Sequence, residues 1–151
     1  MQYEVRPYKS EDYIAISRRE FDRFTFGTRG NPEVIAKQLF QGKAFTGICE
    51  KGIICCAGVL PVWKGVAEAW CVGSPLIESF RFSFPKEVKH KLGQIIEYYK
   101  LDRLQTIVDK EFTVSQKWLE RMGFSYEGEM PKYIAGRTYL RYAWIRREIN
   151  G

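Results

Sequence analysis

Histidine is almost missing from this chain of 151 residues, with His90 the sole example, and the four cysteines include no C-x-x-C pair. A structural zinc centre draws four nitrogen or sulfur ligands at recognisable spacing, so a site of that kind is excluded and no metal is expected. Cys49, Cys55, Cys56 and Cys71 all fall in apolar, strand-like segments, and the adjacent Cys55 and Cys56 point to opposite faces of a strand. They read as reduced, buried small hydrophobes, which suits a cytoplasmic setting. Long apolar runs are also lacking: none approaches the roughly 18 residues of a membrane span. The N-terminal M-Q-Y-E-V-R-P has no signal-peptide core, so the chain reads as soluble and non-secreted, without a membrane partner. Nor is there a long basic run. Arg18-Arg19 and Arg146-Arg147 are doublets, and the formal net charge of +6 suits a polyanionic ligand such as a nucleotide cofactor, or weak association with nucleic acid, and is too small and dispersed to single out either.

What the chain does have is aromatic side chains, at 15% of residues, enough to thicken a small core or line a groove. Its length predicts one domain over 1–151. Residues 3–6 alternate as a half-buried strand. Ser10-Glu11-Asp12 supplies a cap and first-turn acids for a helix with Tyr13, Ile16 and Phe21 on one face. The aromatic, glycine-bearing F-T-F-G-T-R-G-N reads as a loop, and Asn31-Pro32 starts a second helix. Residues 45–49, 53–60 and 66–72 are three β segments joined by tight turns at Lys51-Gly52 and Lys64-Gly65, an antiparallel meander. On the third, Glu68 and Trp70 share one face while Ala69 and Cys71 share the other. A loop through Phe84 precedes an amphipathic helix over 85–99, then a short strand at 104–108, a helix from Thr113, and strands at 126–133 and 138–145. The expected order is β-α-α-β-β-β-α-β-α-β-β. That implies an α/β (mixed α+β) fold, with a mixed, mostly antiparallel sheet and helices on both faces.

The helix T-V-S-Q-K-W-L-E-R-M-G-F carries the strongest local signal. Thr113 and Gln116 fit a capping box, and Val114, Trp118, Leu119 and Met122 recur at helical spacing. Gly123 can close the helix in a left-handed conformation before Phe124 turns inward. This motif and the element order resemble the GNAT acyltransferase superfamily over nearly the whole chain. The strand A-E-A-W-C-V-G-S followed by a Lys-rich helix is similar, more narrowly, to the GNAT-like proteins of tailed phages, of the internal virion protein A type.

The resemblance implies a cleft between the 66–72 strand and the 104–108 strand, splayed apart to take acetyl-CoA, with an amine as acyl acceptor. It places main-chain donors for the pantetheine arm at Val72, Gly73 and Ser74, and a small polar residue near the cofactor at Ser115. Glu68 matches the strand glutamate that acts as base through water; a cross-strand ion pair explains it equally. The chain departs from the pattern twice. The glycine-rich pyrophosphate loop is replaced by S-P-L-I-E-S-F-R-F-S-F-P-K, leaving Arg81, Ser83 and Lys86 as anion contacts, or else Phe80, Phe82 and Phe84 pack the loop down. The usual tyrosine acid of the last helix is Trp118, with Tyr126 or Tyr133 as possible substitutes. His90, Lys89 and Lys91 read as a solvated helix face.

Two functions follow. One is an acetyl-CoA-dependent N-acyltransferase. The other is a catalytically inactive GNAT-fold binding or assembly module with protein partners, in a phage or prophage particle or the host cytoplasm.

Overall fold

A computed structural model describes residues 2–27 and 30–147 of the protein. A seven-stranded sheet runs in the order β1-β2-β3-β4-β5-β7-β6. Its strands are β1 (Tyr3–Pro7), β2 (Ala44–Cys49), β3 (Gly52–Trp63), β4 (Val66–Gly73), β5 (Arg103–Asp109), β6 (Ser125–Ile134) and β7 (Arg137–Ile145). Every neighbouring pair is antiparallel except β4 and β5. The expected mixed, mostly antiparallel α/β class is what forms. Glycine turns join β2, β3 and β4, and a left-handed pair, Ala135 (φ 53°) and Gly136 (φ 72°), turns β6 into β7.

The helical part differs from expectation in several places. The first expected helix is two, α1 (Ser10–Ala15) and α2 (Glu20–Gly27), because Ile16 is extended (ψ 133°) and the Arg19 N–H bonds the carbonyl of Gly73. A tertiary contact outcompetes helix continuation there. α2 also takes up the start of the segment read as a loop; Thr28 and Arg29 of that segment lie outside the described residues. Ser10 begins α1 rather than capping it, and the Asp12 carboxylate folds back to accept the Lys9 N–H at 2.9 Å. The third helix, α3 (Pro32–Leu39), starts as expected, with Asn31 Oδ1 accepting from the N–H groups of Glu33 and Val34.

Beyond β4, Ser74 caps a 3-10 helix, Pro75–Phe80, where a loop was expected. The reason is burial: Ile77 and Phe80 turn inward, and Tyr3 meets the rings of Phe80 and Phe84 edge-on at 5.1 and 5.3 Å. Helix α4 (Phe84–Tyr99) follows, packing Val88, Leu92, Ile95 and Ile96 into the larger of two cores. Helix α5 (Thr113–Arg121) ends as its sequence demands. Gly123 has φ +93°, its N–H bonds Glu120 O at 3.1 Å, and Phe124 N–H bonds Leu119 O at 2.9 Å, a Schellman closure. The capping box does not form. Thr113 is the first helical residue, and the Gln116 amide reaches back to the carbonyls of Asp109 and Lys110 instead.

The sheet therefore separates two cores. Ala67, Ala69 and Cys71 of β4 face the α4 side, and Trp70 and Val72 join Tyr8, Tyr13, Phe26 and Leu39 on the α1–α3 side. No helix among the described residues is long and apolar enough to cross a membrane.

Candidate functional site

The parallel pair is where the sheet opens. β4 and β5 stay in register only over Val66↔Arg103, Ala67↔Leu104 and Glu68↔Gln105, and then separate. The Thr106 hydroxyl donates to the Ala69 carbonyl at 2.9 Å across the start of the gap. Beyond it lies a cleft of about 150 Å³, walled by β4, β5, α2 and α5, with Glu68, Trp70, Cys71, Ser115 and Trp118 among its lining residues. In an antiparallel ladder alternate residues turn their main-chain groups to the same neighbour. Ser74 N–H bonds Ile54 O, continuing the β3 side of the alternation. Ala69, Cys71 and Gly73 thus turn theirs toward the opening, and Val72 and Ser74 do not.

Gly73 is engaged from within the chain. Its N–H donates to Asp22 Oδ2 at 3.0 Å and its carbonyl accepts from Arg19 N–H at 3.0 Å. Arg19 Nε pairs with Asp22 Oδ2 at 2.8 Å, with side chains 17% and 7% exposed. The guanidinium lies so close over Gly73 that a Cβ there would sit 2.7 Å from it, so any other residue would have to displace Arg19. Burial pushes the Asp22 carboxyl above the ordinary carboxylate range, against the pull of Arg19 and the Gly73 N–H. The same helix reaches the opposite wall. Phe21 stacks on Phe112 at 4.5 Å, the Arg19 guanidinium lies 4.7 Å over the Phe112 ring, and Thr25 shares a 2.9 Å hydrogen bond with Tyr139. α2 therefore ties both arms of the splay together.

Glu68 sits at the point of separation, half-buried. Arg141 Nη1 donates to both of its oxygens at 2.8 and 3.1 Å, and Gln105 Nε2 donates at 2.8 Å. Asp109, at the far end of β5, is buried and paired with Arg137. Trp70, one face-position on from Glu68, is 8% exposed. Its Nε1–H is the one buried side-chain polar atom without a hydrogen-bond partner among the described residues. On the other wall, α5 is amphipathic yet has no buried residue; Ser115, Trp118, Leu119 and Met122 are half-exposed and line the cleft.

The remaining expected site residues stand apart. Tyr126 lies on edge strand β6, 53% exposed, its ring edge-on to Tyr142, and is not among the residues that line the cleft. Its register opposite Tyr142, outside the β4–β5 gap, is the reason. Tyr133 is exposed near the end of the same strand, its ring 6.0 Å from that of Tyr139. Arg81, Ser83 and Lys86 are exposed around the start of α4. In the 3-10 turn after β4, Leu76 N–H is taken by Ser74 Oγ, Ile77 N–H by Ser74 O and Arg81 N–H by Glu78 O, while Ser83 makes no side-chain cap at the start of α4.

Sequence reasoning passed over Asp22, Arg19, Trp70, Cys71 and Arg141 as site residues. Trp70 carried a signal, alternation with Glu68 on one strand face. Nothing linear marks Arg141 as lying opposite Glu68, and Arg19 was visible only as half of a doublet.

No protein-family model matches the chain, and no curated protein does. Solved structures do share the fold. The GNAT-family acetyltransferase from Bacillus anthracis superposes with a TM-score of 0.72 at 17% identity, covering 96% of this chain and 95% of that one. A putative acetyltransferase from Salmonella typhimurium, solved with its cofactor acetyl-CoA, gives 0.74 at 9% identity over 99% and 96%. The ribosomal-protein-S5-alanine acetyltransferase from Vibrio fischeri gives 0.67 at 16% identity over 99% and 96%.

Proposed function

We propose that this chain, folded as one GNAT-like domain, is an acyltransferase that moves an acetyl group from acetyl-CoA to an amine in the β4–β5 cleft. The observation that carries the reading is the pairing of a splayed parallel strand pair with an α5 whose Trp118, Leu119 and Met122, partly buried against the larger core, also line the same opening. These side chains and the Cys71 main-chain edge together make a slot with one apolar wall and one hydrogen-bonding wall, which fits the amide-bearing thioester arm of the cofactor.

Bound acetyl-CoA would supply an activated thioester. Val88, Trp118, Leu119 and Met122 exclude water from the slot, and Ser115 offers a hydroxyl beside it. Glu68 accepts the proton that the amine must lose, directly or through one water, while Arg141 and Gln105 hold its carboxylate in place. Trp118 has no proton to give a departing thiolate, so the sulfur leaves without a side-chain acid from α5. Phosphate contacts fall to the side chains of Arg81, Ser83 and Lys86 around the uncapped start of α4.

A second reading has its own support. Asp22 and Arg19 occupy both main-chain groups of Gly73, where the cofactor arm was expected to pair, and Val72 and Ser74 face β3. A chain that keeps the fold but closes its cleft with its own α2 would serve as a binding or assembly module, as in a phage particle.

Calorimetric titration of acetyl-CoA separates the two. Heat with a micromolar Kd supports the enzyme; none at millimolar cofactor removes it and leaves the module. If binding is seen, Glu68→Gln is expected to lower turnover by about a hundredfold or more with cofactor affinity unchanged. Unaltered turnover would end the base assignment.

A further inference from the structure

A native fold rarely buries a polar hydrogen without a partner, because stranding one costs on the order of 1–3 kcal/mol. The Nε1–H of Trp70 is such a hydrogen, in a wall of the cleft. The other polar groups around it are already matched: Asp22 by Arg19, Glu68 by Arg141, Asp109 by Arg137, and the Thr106 hydroxyl by the Ala69 carbonyl. Of the buried side-chain polar atoms described, this neutral donor alone is unmatched, and an acceptor atom on a ligand would match it.

We infer that Trp70 is a specificity-determining residue, and that the acceptor substrate is a primary amine carrying a neutral hydrogen-bond-accepting oxygen, a carbonyl or hydroxyl. This rests on the acyltransferase reading for the role of the amine. Glu68 and Trp70 share one face of β4, two residues and roughly 7 Å apart. A ligand whose amine meets Glu68 thus places atoms several bonds away against the indole. The oxygen must be neutral. Trp70 sits in an apolar cluster with Tyr8, Tyr13, Phe26 and Leu39, and Arg19 in the same cleft is already held by Asp22. A buried carboxylate there would lack a counter-charge. A polyamine or plain alkylamine leaves the indole hydrogen stranded and is disfavoured, since sites built around a hydrogen bond reject analogues that cannot make it.

The test uses the intact protein labelled with nitrogen-15, whose four tryptophans give four indole signals. The Trp70 signal is identified as the one lost in Trp70→Phe. The probes are β-alaninamide and n-pentylamine, equal in heavy-atom count, with 1,4-diaminobutane as a third. The expected result is a downfield shift of the Trp70 Nε1–H with β-alaninamide alone, and about tenfold weaker binding of that probe to Trp70→Phe. A signal that stays still, or moves equally with n-pentylamine, overturns the inference and leaves the edge-on ring of Tyr8, 5.4 Å away, as the indole's neighbour. The wild-type titration decides the matter even if Trp70→Phe folds poorly. An indole response without acetyl-CoA binding would keep the site and remove the transfer reading. Acetyl-CoA binding without an indole response would do the reverse.

Discussion

Replacing Asp22 by alanine should make the protein less stable and, on the acyltransferase reading, a better binder of acetyl-CoA. Asp22 holds two groups at once, the Arg19 guanidinium at 2.8 Å and the Gly73 N–H at 3.0 Å, and its side chain is 7% exposed. Removing one partner of a buried ion pair costs roughly 3–5 kcal/mol because the other charge is left uncompensated. Arg19 retains its contact with the Phe112 ring, so the lower end, about 3 kcal/mol, is expected. For a chain of this size each kcal/mol moves Tm by about 2–4 °C, giving a fall of roughly 6–12 °C. The ligand effect has the opposite sign. A charge-assisted hydrogen bond is worth about 1.5–3 kcal/mol net, and a ligand that takes the Gly73 N–H must first displace the carboxylate. Without it, acetyl-CoA should bind about ten- to a hundredfold tighter. Asp22→Asn keeps a neutral acceptor for Gly73 and should lie between on both scales. Thermal melts by circular dichroism and calorimetric titrations on the same three proteins check this. A melting point within about 2 °C of wild type would show that the pair does not tie α2 to β4. Affinity unchanged or weakened in Asp22→Ala would show that Gly73 is not part of a ligand-binding edge.

Thiol reactivity should sort the cysteines by the cleft. Cys71 is half-exposed and lines it, Cys55 is fully buried, and burial pushes the Cys56 thiol up to about 12. A disulfide reagent at pH 8 should modify Cys71 within minutes and the rest only on unfolding, with modification slowed by a cleft ligand; equal rates for Cys71 and Cys55 would refute the placement. Acid stability should depend on Asp12. Burial raises its pKa, but hydrogen bonds from Arg6, Thr46 and the Lys9 N–H outweigh that and hold it below the usual value. Its contribution is therefore present above the unfolded value of about 3.9 and is lost as pH falls through the lower folded one. Unfolding free energies from urea titration should separate wild type from Asp12→Asn by about 2 kcal/mol at pH 7 and draw together as pH falls below about 4, and a constant gap would contradict the assignment. Trp118→Tyr places a phenol on the cleft wall, and any measurable transfer should rise about tenfold if departure of the thiolate limits it. An unchanged rate would mean that another step does.

Local chemistry made much of the architecture legible. The Gly123 stop, the Asn31-Pro32 start, the meander turns and the shared face of Glu68 and Trp70 all depend on partners within a few residues. The reading failed where distant contacts competed with local preference. The first helix breaks because Arg19 binds Gly73, the Gln116 amide leaves its capping role for carbonyls at the end of β5, and the segment after Ser74 coils because Phe80 and Phe84 have a core to enter.

By itself, the sequence determined the strands and the longer helices, which of their faces would be apolar, and that a glutamate and a tryptophan would stand together on the third meander strand. These follow from the two- and 3.6-residue periods and from the backbone freedom of glycine. The tertiary structure alone decided where the sheet opens, that Arg141 would hold Glu68 from 73 residues away, and that Asp22 would take the Gly73 N–H from 51. Such pairings are set by the packing of both cores around the sheet, and no short-range rule along the chain encodes them.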